Sequence, residues 1–396
     1  MIRAPRRLVY HVLVNGIVEV PLLLTFSDVG EQVAWNGFLS LRDVEQIFDA
    51  SSEAWSRLLR LGRLGTPDAA FNRATNAGKL AAIRSVQRLR TGWTPSSLAF
   101  ADLPKLVAAW GAIDLAVARN LLAHAGRVAE KTGGALPASF PVFPGQAPHP
   151  ADAGVRMHAG GAYLEALYGH LHHQGDLDWL ADQAPSIRLC ADALVRLRWE
   201  APELLANPGI QQEVMAGLAH AAVLAEALGD AVNAERWMSE VRAAGAGAAV
   251  WLEATNSWSD WRRRFGWSPQ AGTVHGAGTE FHGAELAASA VWGGCGLSVR
   301  AGEVWIEPTW PAQWSWWALF SLPLVGGRHI SILWDGNTLH ATFPVRSSLP
   351  VEVQKRIQIH HTDEFDFDPL IELTSDSDSV DTSTKRRFRP AFPATV

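Results

Sequence analysis

Four acidic residues stand at loop-like or helix-start positions, where side chains are used for chemistry more often than in helix interiors. They are Asp102, Asp152, Glu200 and Glu280. Two carboxyl groups in different environments can divide acid and base work, because one keeps its proton while the other is ionised. A structural interpretation stays open for each, since Asp commonly caps a helix and a terminal Glu is commonly solvated. A fifth acid, Glu213, is interpreted as a helix-start charge favoured by the helix dipole.

The chain also contains 18 tryptophans among its 396 residues. Most of them are expected in the core, but four fall in one loop-like stretch: Trp251, Trp258, Trp261 and Trp267. Exposed indole rings are costly unless they are used, and flat aromatic rings stack well on the apolar faces of sugar rings. This stretch therefore predicts stacking platforms for a sugar-like ligand.

Three histidines cluster near a predicted helix end, at His170, His172 and His173. The first and third could share a helix face, but no Glu-x-x-His pattern supplies a third metal ligand, so a solvated face is predicted.

The distant Cys190 and Cys295 disfavour a disulfide framework or a cysteine metal site. Neither a Walker-type loop nor a G-x-S-x-G elbow occurs. We therefore expect no cofactor and no metal.

Composition limits the classes of partner. The net charge is −6, which gives no footprint for nucleic acid or an anionic membrane, and no apolar stretch is long enough to span a bilayer. Arg3, Arg6 and Arg7 precede an apolar run, yet that run contains polar residues and lacks a clean cleavage site. We interpret it as a strand pair, and we expect a cytoplasmic protein without nucleic-acid or membrane partners. The oligomeric state stays open.

The elements that must position the acids begin with β-structure. Residues 8–40 are rich in Val and Leu, and Asn15-Gly16 between two apolar runs is a hairpin signal. Helices are predicted over 41–60 and 68–90, with Trp93-Thr94-Pro95 ending the second.

A helical hairpin then repeats. In each unit a Gly ends one helix and an Asp begins the next, at Asp114, Asp176 and Asp230. The first helix of each unit is the more apolar and the second the more charged, as expected for an inner and an outer ring. A hairpin repeated at a loose period predicts a toroid or solenoid in which these Asp residues cap outer helices.

The pattern returns to β-structure near the end of the chain. Predicted strands are 303–306, 317–325, 328–334, 338–345 and 351–360, and the Asp/Ser/Thr-rich segment 362–396 is predicted to be disordered. The resulting domain scheme is an N-terminal β segment (1–40), a helical toroid (41–295), a C-terminal β domain (296–361) and the tail (362–396).

Three stretches then point to a family. Phe100-Ala101-Asp102 resembles an aromatic–x–Arg–Asp segment with Ala in place of Arg. Gln212-Glu213-Val214, leading to Leu228-Gly229-Asp230, resembles a barrel helix. Gly296-Leu297, followed by the Pro- and Trp-rich 308–314, resembles a barrel exit. Over residues 65–345 the chain resembles the six-hairpin glycosidases of the amylo-α-1,6-glucosidase (glycogen-debranching) type.

The resemblance implies a mainly α fold. It would be an (α/α)6-type helical toroid, complete or one hairpin short, with an N-terminal β-hairpin segment and a small C-terminal β-sandwich. It implies a glycoside hydrolase acting on an α-glucan-like or related oligosaccharide through two carboxyl groups. Glu200 would be the proton donor, Glu280 the base and Asp102 the binder of sugar hydroxyls. The expected substrate-binding residues are Trp93, Asp152, Trp258, Trp261, His275 and Glu285.

Two alternatives stay open. The missing Arg before Asp102 and a reduced hairpin count favour a non-catalytic carbohydrate-binding remnant of the same fold. The same toroid also suits a sugar phosphorylase or epimerase. A phosphorylase would need an anion site, for which the sequence offers Lys105 and His275.

Overall fold

The structure is a computed structural model. It describes residues 30, 32, 35–36, 44–89, 92–95, 99–140, 152–244, 280–300, 302–308, 310, 314–336, 338–342, 345–347 and 358–361. The chain divides into two compact units, Met1–Arg57 with Asp381–Val396 and Leu58–Val380. Helix α1 begins in the first unit, and the other elements below belong to the second.

Helices dominate the described residues. They are α1 (Val44–Arg60), α2 (Ala69–Arg84), α3 (Leu103–Gly111), α4 (Leu115–Thr132), α5 (Ala153–Gln174), α6 (Leu177–Ala181), α7 (Ala184–Glu200), α8 (Pro208–Ala227), α9 (Ala231–Ala243) and α10 (Glu280–Ala288). Short 3₁₀ turns span Phe100–Asp102 and Pro202–Ala206, and a π-helical segment, Ser289–Gly294, continues α10.

Three small sheets complete the described structure. The strands are β1 (Arg63–Gly65), β2 (Val86–Leu89), β3 (Gly92–Pro95), β4 (Leu297–Arg300), β5 (Glu303–Ile306), β6 (Trp317–Leu324), β7 (Arg328–Trp334), β8 (Thr338–Ala341), β9 (Val345–Ser347) and β10 (Gln358–His361). The largest sheet has the order β1-β6-β7-β8-β10, antiparallel except for the β8–β10 pair. A second sheet has the order β4-β5-β9, and β2 and β3 form a hairpin.

The helices form two layers. In the inner layer, α2 packs against α10, α10 against α3, α3 against α5 and α5 against α8. In the outer layer, α4 packs against α7, and α9 packs against both α7 and α8. The helices α3, α5 and α8 are the apolar first members of the three predicted hairpins, and their place in an inner ring stays a prediction. The fold is mainly helical with small sheets; a closed ring and a β-sandwich stay predictions.

One helix ends earlier than the sequence predicted. Helix α2 stops at Arg84, not Arg90, and Val86–Leu89 pairs antiparallel with Gly92–Pro95. The backbone N–H of Ser85 donates to Ala81 O and closes the helix there. The predicted strands between 303 and 341 are confirmed to within a few residues. Most of the predicted β segment at 8–40 lies outside the described residues, but Gln32, Trp35 and Asn36 are described and are helical, so the β prediction is wrong at these positions. The tail at 362–396 lies outside the described residues.

The repeated Asp residues do not all behave alike. Asp114 accepts a hydrogen bond from Ala116 N, and Asp230 accepts one from Asn233 N, so both cap the following helix as predicted. Asp176 makes no capping bond. Its carboxylate instead accepts hydrogen bonds from Arg119 and His170. The prediction that Asp176 caps an outer helix by its side chain is therefore wrong.

The junction between the helices and the second sheet depends on a glycine. Gly296 has φ +59°, and a Cβ there would lie 1.8 Å from Glu307 O. Only glycine avoids this clash with the backbone, and Gly296 O accepts a hydrogen bond from Glu307 N at 2.9 Å. This bond aligns β4 with β5 directly after α10.

Among the helices that the structure describes, none combines the length and the apolar character that crossing a membrane requires.

Candidate active site

A cavity of about 580 Å³ opens between the inner helices α3, α5, α8 and α10. Much of its wall is made of small residues, among them Ala108, Gly161, Ala166, Ala216 and Ala288. Small side chains leave room between helices that otherwise pack closely. Four carboxyl groups face this space, one from each of four chain segments: Asp102, Glu165, Glu213 and Glu285.

Lys105 joins two of these acids. Its Nζ lies 3.4 Å from Asp102 Oδ1 and 3.3 Å from Glu285 Oε2. Asp102 ends the 3₁₀ turn before α3 and makes no side-chain capping bond, so its carboxylate is used within the cavity instead. The side chains are partly buried, with 27% of Asp102 and 15% of Glu285 exposed. The ammonium group thus holds two carboxylates together across the α3–α10 contact.

The opposite wall holds a second pair. His158 Nδ1 on α5 lies in hydrogen-bond contact with Glu213 Oε2 on α8. The two helices approach closely because glycines face each other, and a Cβ on Gly217 would lie 2.9 Å from the Cα of Gly161. Glu213 was predicted to be a plain helix-start charge, and the structure places it in the cavity wall instead. The pair is nearly half exposed, so it meets solvent at the cavity mouth.

Glu165 is the acid that sequence reasoning missed. It lies in the middle of α5, where a lone glutamate resembles a surface charge. A signal was nevertheless present, because α5 is apolar around most of its circumference between Met157 and Leu167, and its two charged or titratable residues there, His158 and Glu165, are seven positions apart and share one face. A charged residue in such a helix must face a partner or a cavity.

The floor of the cavity is formed by stacked rings. His173 lies parallel to Trp292, with centroids 4.4 Å apart and planes 8° apart, and Trp292 Nε1 donates to Ala108 O at 2.8 Å. His220 stacks on Tyr168 with centroids 4.6 Å apart. Burial lowers the pKa of His220 to about 4 and raises the pKa of Tyr168. Burial also lowers the pKa of His173 well below its usual value, so the imidazoles of His173 and His220 are both neutral near pH 7.

His170 belongs to a buried network beside the floor. Its Nε2 donates to Asp176 Oδ2 at 3.1 Å, and Arg119 Nε donates to the same oxygen at 2.6 Å. Burial lowers the pKa of His170 despite the neighbouring carboxylate. Burial alone would raise the pKa of Asp176, but the hydrogen bonds from His170 and Arg119 lower it. The prediction of a solvated histidine face is wrong for His170 and His173, which are both buried.

Several predicted site residues lie apart from the cavity. Glu200 is exposed at the end of α7, beside Trp199, which is itself 70% exposed and so does not bury it. Asp152 caps α5 by accepting from Val155 N at 2.8 Å. Trp93 lies on β3 with its ring 6.0 Å from that of Trp110. None of these three lines the cavity.

Other predicted residues are only partly located. Glu280 begins α10, five residues before Glu285, but its side chain is not among those described. Trp258, Trp261 and His275 lie outside the described residues. Of the predicted set, the structure brings together Asp102 and Glu285. Within the described ranges, no three His, Cys, Asp or Glu side chains are grouped so that they could hold a metal ion.

Comparison with known proteins supports the fold. No protein family matches the sequence, and no curated protein is similar enough in sequence to be matched. The GH78 family rhamnosidase of Bacillus sp. GL1 superimposes with a TM-score of 0.53 at 12% identity, over 76% of this chain and 44% of that one. A protein from the human microbiome, provisionally named kojibiose phosphorylase, gives a TM-score of 0.44 at 6% identity, over 80% and 70%.

The likeness to the rhamnosidase concerns the fold alone, and the chain spans less than half of that enzyme's length. The expected mainly helical fold is thereby supported at the coarse level. The finer assignment to the amylo-α-1,6-glucosidase type stays a prediction.

Proposed function

We propose that the protein is a glycoside hydrolase that acts on an α-glucan-like or related oligosaccharide within the cavity between α3, α5, α8 and α10. The observation that carries the proposal is the convergence of four carboxyl groups on one cavity. Hydrolysis of a glycosidic bond needs a proton donor and a second carboxylate that acts as base or nucleophile. The likeness of fold to a rhamnosidase agrees with this chemistry but does not select the sugar.

Asp102 and Glu285, the two acids joined by Lys105, are suited to the step that needs an ionised carboxylate. Glu285 is the more buried carboxylate of the two, and we assign it as the base or nucleophile. Asp102 lies beside it at the start of α3, where its carboxylate can accept hydrogen bonds from sugar hydroxyls. Both carboxylates also stabilise the positive charge that develops on the sugar ring in the transition state. Lys105 fixes their positions before substrate arrives.

The pair formed by His158 and Glu213 at the cavity mouth is suited to donate the proton. The hydrogen bond between His158 Nδ1 and Glu213 Oε2 holds one transferable proton between two groups. Contact with solvent lets this pair recover a proton after each turnover. We therefore assign Glu213 as the donor in place of Glu200, and Glu285 as the base in place of Glu280. Glu165, on the same wall as His158, is the alternative donor.

A second function, carbohydrate binding without catalysis, is favoured by one observation. Lys105 compensates the charge of two of the four acids, which would weaken them as a reactive pair. A phosphorylase is disfavoured, because Lys105 is the one lysine or arginine among the described cavity-lining residues and both carboxylates already hold it. Hydrolysis and binding are separable by experiment.

The test is a panel of α- and β-linked oligosaccharides, including maltotriose and L-rhamnosides, assayed for reducing-sugar release and for binding by calorimetry. Glu285→Gln and Glu213→Gln should each lower turnover by about 10²–10⁴-fold while leaving binding measurable. Glu200→Gln is the matched control and should keep parental turnover, because this glutamate is exposed and outside the cavity. Loss of turnover in Glu200→Gln alone would restore the sequence-based assignment. Binding by the parent without any sugar release would establish the binding protein.

A further inference from the structure

We propose that His173 recognises a hydroxyl group of an uncharged sugar at the cavity floor, and that the sugar approaches the imidazole over Gly169. This inference rests on the proposed function, since it names the chemistry of the ligand that the same cavity takes. It assigns a role to a residue that lies on the floor, away from the four carboxyl groups. The first observation is that His173 lines the cavity although only 4% of the residue is exposed.

Stacking fixes the orientation of the imidazole. Its plane lies within 8° of the Trp292 ring, and Trp292 is held by its bond to Ala108 O. A stacked ring presents its nitrogens at its edge, so the neighbouring indole cannot satisfy them. Within the part of the chain that the structure describes, no hydrogen bond involves either nitrogen of His173. The ring borders the cavity, so a ligand hydroxyl can reach its edge and supply the hydrogen bonds that these nitrogens lack.

Gly169 leaves room at that edge. It lies one helical turn before His173 on α5, and a Cβ at Gly169 would lie 3.9 Å from His173 Cε1. Cε1 is the carbon between the two ring nitrogens, so the missing side chain opens the polar edge of the ring. Ala162 and Ala166 continue the same face of α5 toward the mouth. A path lined by small residues therefore leads from the carboxyl groups down to His173.

The charge of the floor selects an uncharged ligand. Burial, together with the neighbouring His172 and His170, lowers the pKa of His173 well below its usual value. The ring is then neutral, with one N–H donor and one acceptor nitrogen, and a sugar hydroxyl can both donate and accept. A phosphate or carboxylate group would find no cation at the floor, and the four acids above would repel it.

The experiment uses the full-length protein and four probes: D-glucose, L-rhamnose, maltotriose and D-glucose 6-phosphate, each titrated by calorimetry. His173→Phe keeps an aromatic ring on Trp292 and removes both nitrogens. Gly169→Ala keeps the histidine and fills the space in front of it. Each should weaken binding of the best uncharged probe by about 10-fold, the size of one lost hydrogen bond. The phosphorylated probe should bind the parent more weakly than glucose does.

Two matched controls should bind as the parent does. His124→Phe removes another unpaired nitrogen outside the cavity, where the His124 ring lies against Phe140. Gly154→Ala adds a methyl group to α5 at ordinary contact distances. If His173→Phe fails to fold, Gly169→Ala decides alone, since replacing a helical glycine by alanine favours the helix.

The results separate this inference from the proposed function. Parental affinity in both His173→Phe and Gly169→Ala, with turnover still lost in Glu285→Gln, would overturn the role of His173 and leave hydrolysis standing. Tighter binding of the phosphate ester than of glucose would overturn the selection of uncharged sugars. A parent that binds and cleaves no sugar at all would contradict both proposals.

Discussion

Gly217 on α8 lies so close to Gly161 on α5 that a Cβ on Gly217 would stand 2.9 Å from the Cα of Gly161. This approach brings Glu213 within hydrogen-bond contact of His158 one turn earlier on each helix. The contact is between backbones, so neither helix can relieve an added atom by turning a side chain. The two glycines therefore determine the distance between His158 and Glu213.

Gly217→Ala should destabilise the protein although alanine is the better helix former. Separating the two helices costs about 1–3 kcal/mol, which exceeds the gain of about 1 kcal/mol in helix propensity. Urea unfolding monitored by tryptophan fluorescence measures the difference. Gly154→Ala, on α5 with ordinary contacts, is the control and should be neutral or stabilising. A Gly217→Ala protein more stable than the parent would show that the helices move apart freely.

Asp176 and Asp114 occupy equivalent places in the hairpin repeat but should differ sharply on substitution. Asp176→Ala leaves Arg119 and the buried His170 without their partner and should cost about 3 kcal/mol. Asp114→Ala removes only a helix cap and should cost about 1 kcal/mol. Chemical denaturation of both variants provides the comparison. Equal losses would mean that the network around Asp176 adds nothing beyond a cap.

Asp176 also shows which features could not be predicted from the sequence. The Gly–Asp spacing located three helix starts correctly, because each chain reversal depends on local backbone preferences. Whether the carboxylate then caps its helix depends on Arg119, which lies 57 positions away in the sequence. The inner helices were identifiable by their apolar character. Which of their polar residues share one cavity depends on how the helices are rotated and spaced, which no local pattern specifies.

The acidic residues illustrate this difference between features that local sequence determines and features that packing determines. Asp102 was found from its position at a helix start and Glu285 from the resemblance, and both are in the cavity. Glu200 had an adjacent tryptophan that suggested burial, but α7 belongs to the outer layer and both side chains are exposed. Glu165 was missed because it is a lone charge in the middle of an apolar helix, and its place in the cavity follows from how α5 packs. The three-residue strand β1 could not be predicted, because its partner β6 lies far along the chain.

Acid should destabilise the folded protein through His220. The folded-state pKa is about 4, below the value of 6.5 for a free histidine. Between these values the unfolded chain binds a proton that the folded protein does not, so the free energy of unfolding falls as pH decreases from 6.5 to 4. This histidine alone accounts for about 3 kcal/mol across that window.

His220→Phe should flatten this dependence while keeping the stacking on Tyr168. Urea unfolding at pH 7, 6, 5 and 4.5 gives the slope for each protein. The exposed His329, changed to Gln, is the control and should leave the slope unaltered. The buried His170 and His173 remain in the variant, so a shallower slope is expected, not a flat one. An unchanged slope in His220→Phe would show that His220 is protonated in the folded protein.

Lys105→Met should affect function far more than stability. The ion pairs of Lys105 are partly exposed and contribute about 1 kcal/mol or less to folding. Without the cation, Asp102 and Glu285 repel each other and leave their positions, so sugar binding and turnover should fall about 10-fold or more. Arg242→Met removes an exposed ion pair with Glu235 and should change neither property. Parental turnover in Lys105→Met would remove Lys105 from the proposed site.

The pairing of β1 with β6 has a consequence for how the chain reaches its native state. Arg63 lies opposite Phe320 in the register, so the two strands are separated by about 250 residues, and contacts this distant in sequence slow folding. On the ribosome, β1 emerges long before β6, and a three-residue strand holds no structure by itself. The helices from α3 to α9 can therefore pack in sequence as they are made, whereas α2 waits for α10 and the edge of the largest sheet closes only after Leu324 has left the exit tunnel. Release of the nascent chain before that point would leave the first strand without its neighbour.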